Sequence, residues 1–443
     1  MTSKRQQILP CPFPVRLNPI VVSDGKMLGF VLQVHTRTGK AAGMSIKSEP
    51  VNYGTKQEHF LGSLESCRGV AAMIVAAFHS GQSNWSGGNL LGDTAYDSNH
   101  LIFGPISFLY SALCNGHAAV VFFFVLSGFI LSESASRVER LNLAWAGRFF
   151  SRRILRIYPP ALACIGLFGA IYWVCGAGIP GTGSTTFSPL NILQNLLLIR
   201  TDINGVMWTL PIEIVAVPLI GVCIYLVRRK RVASVCLIGL LLTTASFADD
   251  WNNLFGHGHV QLQLMYCFVT GVLVHSWWLS SKLVRRACQS NWAFIIAVFT
   301  MFTVRPSLGW WTPWSPIFES LLSGVIIAHL TLKARANKTT FLNNPPWRFV
   351  GKISYSFYLL HPLSLIVLWR LTPLNDYFRQ VGVPSVVVAA TLFVVSSLVV
   401  MPLAWLSWRF VERASMRVFA PRDATKPADE TLGHADKCVQ RAA

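Results

Sequence analysis

Charged residues are scarce in this chain. They make up 13% of its 443 residues, whereas a soluble domain carries about 25%. Hydrophobic residues reach 52% of the chain, and they gather in runs close to the roughly 20 residues that span a bilayer core. The shortage of charge therefore excludes an ordinary soluble globular protein and predicts an all-α, polytopic membrane helical bundle.

Acidic residues are scarcer than basic ones, 19 against 38 Lys and Arg, which gives a net charge of +19. Such basicity can indicate nucleic-acid binding. Here the cations concentrate in alternate connections between the apolar runs, as the positive-inside rule requires of cytoplasmic loops. We therefore expect these cations to face membrane lipid, and we expect no nucleic-acid partner.

Pairs of the form C-x-x-C are missing, although the chain has ten cysteines. Most of the cysteines lie in apolar runs, where a thiol acts as a small apolar filler. We predict no disulfide framework, no metal site and no permanently bound cofactor. The number of subunits is left open by the sequence.

An apolar leader with a cleavage site is also missing from the first 60 residues. We expect residues 1–62 to form a poorly ordered cytoplasmic tail and residues 418–443 a disordered one. Between them, residues 63–417 are expected to form the membrane domain.

Ten apolar runs are interpreted as membrane helices, the seventh of them short. They cover residues 66–84, 116–135, 159–178, 206–227, 232–249, 261–280, 290–304, 317–332, 353–370 and 384–407. Of the 38 cations, only Arg200, Arg305, Arg370 and Arg379 fall in connections assigned to the outside. This alternation predicts ten spans with both termini in the cytoplasm. The stretch Phe187–Ile199 is too short to cross and is expected to lie on the outer surface or to re-enter.

The first run, CRGVAAMIVAAFH, contains a cation and a titratable ring. Arg68 and His79 are eleven residues apart, which corresponds to about 16 Å of rise and three helical turns plus roughly 20°. The two side chains are therefore expected on one face of the helix, with Arg68 at the cytoplasmic end. Either residue alone could simply anchor the helix at a membrane surface.

A carboxylate lies in the fourth run, in the segment MWTLPIEIVAVPL. We expect Glu213 at about the depth of His79, in the outer half of the membrane. Because an unpaired carboxylate is costly there, His79 is its predicted partner. Such a pair would make His79 a general base. The structural alternative is a carboxylate satisfied by a hydroxyl or the backbone.

A basic segment, RFFSRRILRIYPP, precedes the third run. Arg148, Arg152 and Arg156 recur every four residues, so they are expected on one helical face with Arg153 beside it. Guanidinium groups bind phosphates through paired hydrogen bonds. The alternative is an ordinary cytoplasmic loop that contacts lipid headgroups.

Two further motifs lie within apolar runs. FFFVLSGFIL places Ser127 and Gly128 in mid-membrane, where small residues favour close helix packing. SYSFYLLHP places His361 immediately before Pro362. His361 either lines the same cavity as His79 or bonds a carbonyl that the proline releases.

Six motifs occur in an order that resembles the family-3 membrane acyltransferases. They are RGVAAMIVAAFH, FFFVLSGFIL, RRILRIYPP, WTLPIE, SYSFYLLHP and SWRFVERASMR, and they extend over about Ser63 to Arg417. The Glu65-Ser66-Cys67 run and the proline in WTLPIE depart from the family pattern. The resemblance implies an O-acyltransferase, most often an acetyltransferase, in a bacterial inner membrane. Its donor would be cytoplasmic acyl-coenzyme A and its acceptor an extracytoplasmic glycan, such as exopolysaccharide or lipo-oligosaccharide.

The resemblance also implies roles for the candidate residues. Arg68 and the four arginines between 148 and 156 would hold the phosphates of acyl-coenzyme A, as a donor substrate. His79, supported by Glu213, would deprotonate the acceptor hydroxyl, although a covalent acyl-histidine intermediate stays open. The residues expected to line a substrate cavity are Ser127, Trp208, Tyr358 and His361.

Two other classes of protein compete with this interpretation. A secondary transporter or flippase of a glycan or small solute could use His79 and Glu213 as a proton relay. The sequence shows no inverted repeat, which counts against transport. A structural or sensory membrane scaffold would leave the intramembrane histidine and carboxylate without a purpose.

Overall fold

A computed structural model describes most of the chain. The described residues are 15–21, 27–34, 53–82, 100–175, 186–248, 262–310, 312–336, 338, 340–370 and 374–417. The chain divides into two compact units, Met1–Glu58 and His59–Ala443.

The first unit contains two antiparallel strands. β1 (Val15–Val21) pairs with β2 (Met27–Val34), with Val15 opposite Val34 and an irregular register near Pro19. These strands lie inside the segment 1–62, where the sequence analysis expects a poorly ordered tail, and the motifs did not anticipate them. The C-terminal tail from residue 418 lies outside the described residues.

The described part of the second unit is helical, as the all-α prediction requires. The described helices, the first of which begins before that unit, are α1 (Tyr53–Gly81), α2 (His100–Leu113), α3 (Gly116–Ser136), α4 (Leu143–Cys175), α5 (Pro189–Leu196), α6 (Thr209–Arg228), α7 (Val232–Ala245), α8 (Met265–Leu273), α9 (Lys282–Gln289), α10 (Asn291–Leu308), α11 (Trp314–Arg335), α12 (Pro345–Arg370), α13 (Leu374–Val381), α14 (Ser385–Ser407) and α15 (Arg413–Arg417). Short 3₁₀ segments precede α6, α8 and α12, and single π turns follow α8 and α14.

Each of the ten predicted spans lies on one of these helices, but fewer of them meet the length and hydropathy of a membrane span. Six do so among the described residues, and they are Gly104–Ser136, Leu143–Val174, Gly205–Arg228, Asn291–Leu308, Trp314–Arg335 and Ser385–Arg417. A seventh candidate is the pair 262–278 and 282–289, which is bent by 106°. The molecule is therefore an integral membrane helical bundle, and ten crossings remain a prediction.

α3 is surrounded by other helices of the bundle. Its sequence is apolar on all sides, which is typical of a fully buried helix, and it packs against α6, α8 and α11. The Asn115 side chain caps its first turn by accepting the Ala118 N–H at 3.0 Å. Central packing of α3 leaves the other helices to face the membrane.

Two glycines allow α3 and α8 to touch backbone to backbone. A Cβ at Gly128 would lie 2.1 Å from the Phe268 carbonyl oxygen, and one at Gly271 would lie 2.0 Å from that of Val125. Only a residue without a side chain fits at either position. The packing interpretation of Gly128 is therefore confirmed.

Large apolar side chains cover the outside of the bundle. Phe108, Leu240, Phe299 and Leu398, on four different helices, are 60% to 68% exposed. In water such a surface would form an aggregating patch, whereas in a bilayer it contacts lipid tails.

Helices also occupy segments between the predicted spans, among them α2 and α5. α2 lies in the segment Ser80–Asn115, and the Tyr110 hydroxyl on α2 donates to the Ala77 carbonyl oxygen of α1 at 3.0 Å. α5 lies in Phe187–Ile199 and is too short to cross, as expected. It exposes leucines and turns Asn195 inward, where the amide donates to Asp202 at 2.7 Å.

Ion pairs identify which helix ends lie together. At one end, Glu133 near the end of α3 pairs with His275 after α8 and Arg335 of α11, at 3.1 and 3.2 Å. Arg228 at the end of α6 donates to the Ala135 carbonyl oxygen at 2.7 Å. We call this the basic end, and we call the other, where α3 and α11 start, the opposite end.

Candidate active site

Glycines also join the helix that carries Arg68 and His79 to α12. A Cβ at Gly69 would lie 2.6 Å from the Gly351 amide nitrogen, and one at Gly351 would lie 2.5 Å from the Glu65 carbonyl oxygen. This close approach brings the Arg68–His79 face of α1 against α12. Arg68 and His79 are both half-buried there.

His79 lies beside His361. The centroids of the two rings are 5.3 Å apart and their planes are tilted by 33°. His361 Nδ1 donates to the Tyr358 carbonyl oxygen at 2.7 Å. Pro362 has no N–H for this carbonyl, four residues earlier, so the histidine satisfies the group that the proline releases. The carbonyl-bonding interpretation of His361 is therefore confirmed.

The hydrogen bond of His361 also determines its tautomer. A carbonyl can only accept, so Nδ1 carries the proton and Nε2 of a neutral ring is the acceptor. Among the described residues, Nε2 of the wholly buried His361 has no hydrogen-bond partner. An acceptor nitrogen is thus available in the neighbourhood of the His79 ring.

Tyr358 joins α12 to the start of α6. Its hydroxyl donates to the Val206 carbonyl oxygen at 2.8 Å and lies 3.3 Å from the Thr209 hydroxyl. Asn204 and Met207, in the same short segment, are almost completely buried. α6 therefore begins inside the bundle and not at its surface.

Glu213 pairs with an arginine and not with His79. The Nη2 group of Arg153 donates to the Glu213 carboxylate and, at 2.8 Å, to the Ser127 hydroxyl oxygen. The predicted His79–Glu213 pair is therefore wrong. A guanidinium compensates a buried carboxylate with full charge, which a neutral imidazole cannot do.

The predicted depth of Glu213 is wrong as well. Glu213 lines a cavity of about 30 Å³ together with Arg68, Tyr355 and Tyr358, whereas Arg68 and His79 are about 16 Å apart along α1. Glu213 therefore lies at the level of Arg68. The predicted depth assumed that Val206 lies at the membrane surface. This assumption was wrong because α6 starts inside the protein.

The four arginines of α4 have different surroundings. Arg148 and Arg152 are exposed, Arg156 is half-buried, and Arg153 is 9% exposed and points into the bundle. Arg148 and Arg152, four residues apart, are both exposed, as expected for a common face. The Arg153 side chain is instead bonded to Glu213. Phosphate binding by these arginines stays a prediction.

Two buried carboxylates are absent from the residues predicted from the sequence. Glu412 is 8% exposed and lies within electrostatic range of Arg68 and Arg156. Glu319 is wholly buried, and its oxygens accept from Arg305 Nε and Nη2 at 2.8 and 3.0 Å. For Glu319 the available signal was a lone acidic residue in an apolar run, which is costly unless it is paired.

The four residues predicted to line one substrate cavity are distributed over several places. Ser127 bonds Arg153, Tyr358 lines the small cavity beside Arg68, and His361 contacts His79. Trp208 lines a larger cavity of about 210 Å³ at the opposite end, together with Trp310. We call this larger space the tryptophan cavity.

The arrangement has chemical consequences. Guanidinium groups at the basic end can bind anionic phosphates. Two histidines, one with a fixed tautomer, can accept and return a proton. Arg68 and His79 lie along one face of α1, so a long molecule held by its phosphates near Arg68 can place a distant atom near His79.

Several known proteins are similar to this chain in sequence. The acyltransferase domain family matches residues 61–409. A protein from Staphylococcus aureus (strain COL) with the name "Putative O-acetyltransferase" is 23% identical over 332 residues, which is 68% of this chain and 52% of that protein. A counterpart from strain N315 has the same values.

Another relative comes from a virus. The protein named "O-acetyl transferase" of Shigella phage Sf6 is 26% identical over 149 residues, which is 30% of this chain and 42% of that protein. The chain spans about half the length of the curated relatives it matches first. No solved structure matches.

Proposed function

The chain belongs to the family-3 membrane acyltransferases, and from this membership we propose that it is an O-acetyltransferase. Its donor is acyl-coenzyme A, most often acetyl-coenzyme A, bound from the cytoplasm at the basic end. Its acceptor is a hydroxyl of a glycan outside the bacterial cytoplasmic membrane. The basic end faces the cytoplasm because cations concentrate in cytoplasmic loops.

The observation that carries this proposal is the α1 face with Arg68 at one level and His79 about 16 Å further along the helix. Arg68 lines a cavity that also contains Glu213, and His79 contacts His361. An extended thioester held at the basic end would follow this face and bring its carbonyl carbon towards the histidines. Phosphates and reacting group are thus served by separate residues on one helix.

The reaction that this geometry supports is direct transfer. His79 accepts the proton of the acceptor hydroxyl as its oxygen attacks the thioester carbonyl carbon. A C–O ester bond forms, the C–S bond breaks, and the departing thiolate of coenzyme A takes the proton from His79. His361, in contact with His79 and held by the Tyr358 carbonyl, positions the His79 ring.

Glu213 receives a different role from the one predicted. Its carboxylate fixes Arg153 in the bundle, and Arg153 in turn fixes Ser127 of α3. The exposed Arg148 and Arg152 remain available for donor phosphates. Glu213 therefore acts as a positioning residue for the donor side.

The transporter alternative loses its main support. A direct proton relay between His79 and Glu213 would place the two groups in contact, whereas Glu213 is held by Arg153 at the level of Arg68. The proposed function requires only that one extended donor molecule can reach both the arginines and the histidines.

Transfer of labelled acetyl groups tests the proposal. Detergent-purified protein is incubated with labelled acetyl-coenzyme A and glycans extracted from bacterial envelopes. We expect labelled glycan with the wild type, and a loss of about 10² to 10⁴-fold with His79→Gln, the range for removal of a general base. The control is His329→Gln, since His329 bonds the Cys288 carbonyl oxygen near the basic end, away from His79.

Two results would count against the proposal. Unlabelled glycan with the wild type would exclude acetyl transfer to these acceptors, and solute flux driven by a pH gradient in proteoliposomes would then favour transport. Full turnover of His79→Gln would place the chemistry elsewhere. Label retained on the denatured protein would replace direct transfer by an acyl-enzyme route.

A further inference from the structure

The tryptophan cavity has features that the transfer chemistry does not use. It is about 210 Å³ in volume, and its wall includes Trp208, Trp310, His117, Gln263 and Arg305. An engineered protein cavity of about 150 Å³ accepts a benzene ring. The tryptophan cavity therefore has room for one substituted six-membered ring.

The charge of Arg305 is neutralised inside the cavity wall. Its Nε and Nη2 groups donate to Glu319, and its Nη1 group donates to the Trp310 carbonyl oxygen. Asn115 donates to the same carboxylate at 3.2 Å. A guanidinium has five N–H donors, so donors remain for a ligand. The wall thus offers hydrogen bonds without an uncompensated positive charge from this arginine.

Tyr266 adds a third aromatic ring to the wall of the cavity. This tyrosine lines the cavity and is 3% exposed. Together with Trp208 and Trp310 it gives the wall an aromatic surface that suits a flat apolar face.

The cavity lies next to the histidines. The Phe78 ring contacts both His79 and His117 edge-on, with centroid distances of 5.4 and 5.0 Å. Val120 lines both the tryptophan cavity and the small cavity beside Arg68. A ring held by Trp208 and Trp310 is therefore separated from His79 by about one layer of side chains.

We propose that the tryptophan cavity binds one neutral sugar ring of the acceptor. The indole rings supply large apolar faces with a polar edge, which suit the C–H faces of a sugar, while Arg305, Gln263 and His117 meet its hydroxyls. An anionic sugar would require an uncompensated cation, and Arg305 is already paired with Glu319. This assignment rests on the proposed function, because only an acyl acceptor has reason to bind beside His79.

The test uses simple acceptors with the detergent-purified protein. Methyl glycosides of disaccharides of glucose, galactose or mannose, with a disaccharide methyl glucuronide as the anionic member, are offered together with labelled acetyl-coenzyme A, so that one ring can fill the cavity while the next reaches His79. We expect label on at least one neutral glycoside and less on the glucuronide. Trp310→Ala should raise the KM for that glycoside roughly tenfold, as removal of a buried aromatic contact does, and leave the KM for acetyl-coenzyme A unchanged.

Two matched variants separate binding from folding. Trp310→Phe keeps an aromatic face and should restore most of the acceptor affinity. Trp314→Ala removes an exposed tryptophan at the start of α11, outside the cavity lining, and should leave the acceptor KM unchanged.

The outcomes distinguish this assignment from the proposed function. An unchanged acceptor KM in Trp310→Ala, or a preference for the glucuronide, would overturn the neutral-sugar cavity. Label that reaches envelope glycans but no methyl glycoside would overturn it too, while the transferase activity stands. Absence of label on every acceptor would instead remove the proposed function itself.

Discussion

Pro362 has no N–H for the Tyr358 carbonyl, so His361 donates its Nδ1 proton to that oxygen. Because the proton is placed on Nδ1, Nε2 becomes the basic nitrogen of the ring. This nitrogen is buried, and the His361 ring lies against that of His79. The adjacent residues His361 and Pro362 thus determine which nitrogen of His361 can accept a proton beside His79.

The first residue-scale prediction concerns which of the two histidines contributes more to turnover. His361→Gln retains a donor for the Tyr358 carbonyl but removes the second imidazole, so we expect turnover to fall about tenfold, less than in His79→Gln. Steady-state kcat of both variants, with expression matched, makes the comparison. Severe loss in His361→Gln together with near-normal turnover in His79→Gln would exchange the two roles.

The second residue-scale prediction concerns Arg153 and Glu213. Removing one partner of a buried ion pair leaves an unpaired charge, so Glu213→Leu should lower the unfolding free energy by roughly 3 kcal/mol. The double variant Arg153→Met/Glu213→Leu should recover most of this loss. Thermal unfolding in detergent measures the cycle. Additive losses in the double variant would mean that the two residues do not form a pair.

Close contacts at glycines determine how pairs of helices pack. Gly128 and Gly271 join α3 to α8, and Gly69 and Gly351 join α1 to α12. The second contact brings His79 to His361, because each lies about three helical turns from the glycine on its own helix. Packing of small residues, more than any polar bond, therefore brings the two histidines together.

An element-scale prediction concerns the exposed face of α4. Arg148→Ala/Arg152→Ala should raise the KM for acetyl-coenzyme A about a hundredfold, since two charge-assisted phosphate contacts contribute about 1.5 to 3 kcal/mol each. Lysines at both positions should restore part of this affinity, because lysine binds as a point charge.

The control for this prediction is Arg285→Ala/Arg286→Ala on α9. These two arginines are also exposed and adjoin the basic end. Their replacement by alanine removes the same charge and leaves α4 unchanged. Equal effects of the two double variants would show that general positive charge, and not the α4 face, attracts the donor.

At the scale of the whole molecule, the bundle has two chemically different ends. Cations gather where α3, α6 and α11 finish. At the opposite end, Arg305 is buried and its charge is neutralised by Glu319. Arg305 is one of the four cations that fall in connections assigned to the outside. Because Glu319 neutralises its charge, Arg305 does not weaken the difference in charge between the two ends of the bundle.

The whole-molecule prediction is topological. In intact cells, a membrane-impermeant maleimide should label Ser98→Cys, in the segment between α1 and α2, but not Arg229→Cys, at the end of α6. Permeabilisation should make Arg229→Cys reactive, since its side chain is exposed. The parent protein provides the background from its own cysteines. Labelling of both positions from the same side would contradict the orientation.

The sequence by itself determined the class, the helices and the family. Scarce charge and long apolar runs are properties of composition, and the bilayer translates them directly into helices. The face shared by Arg68 and His79 follows from helical geometry alone. His361 and its proline are adjacent in the chain, so their local bond could also be anticipated.

Tertiary structure alone decided which distant residues meet. Glu213 pairs with Arg153, 60 residues earlier in the chain, because α6 begins inside the bundle and places the carboxylate at the level of Arg68. Arg153 turns inward while Arg152, its neighbour, stays exposed, and periodicity cannot separate two such arginines. Pairing of a buried charge depends on three-dimensional position, since the cost of burial is relieved by whichever opposite charge packing brings within reach.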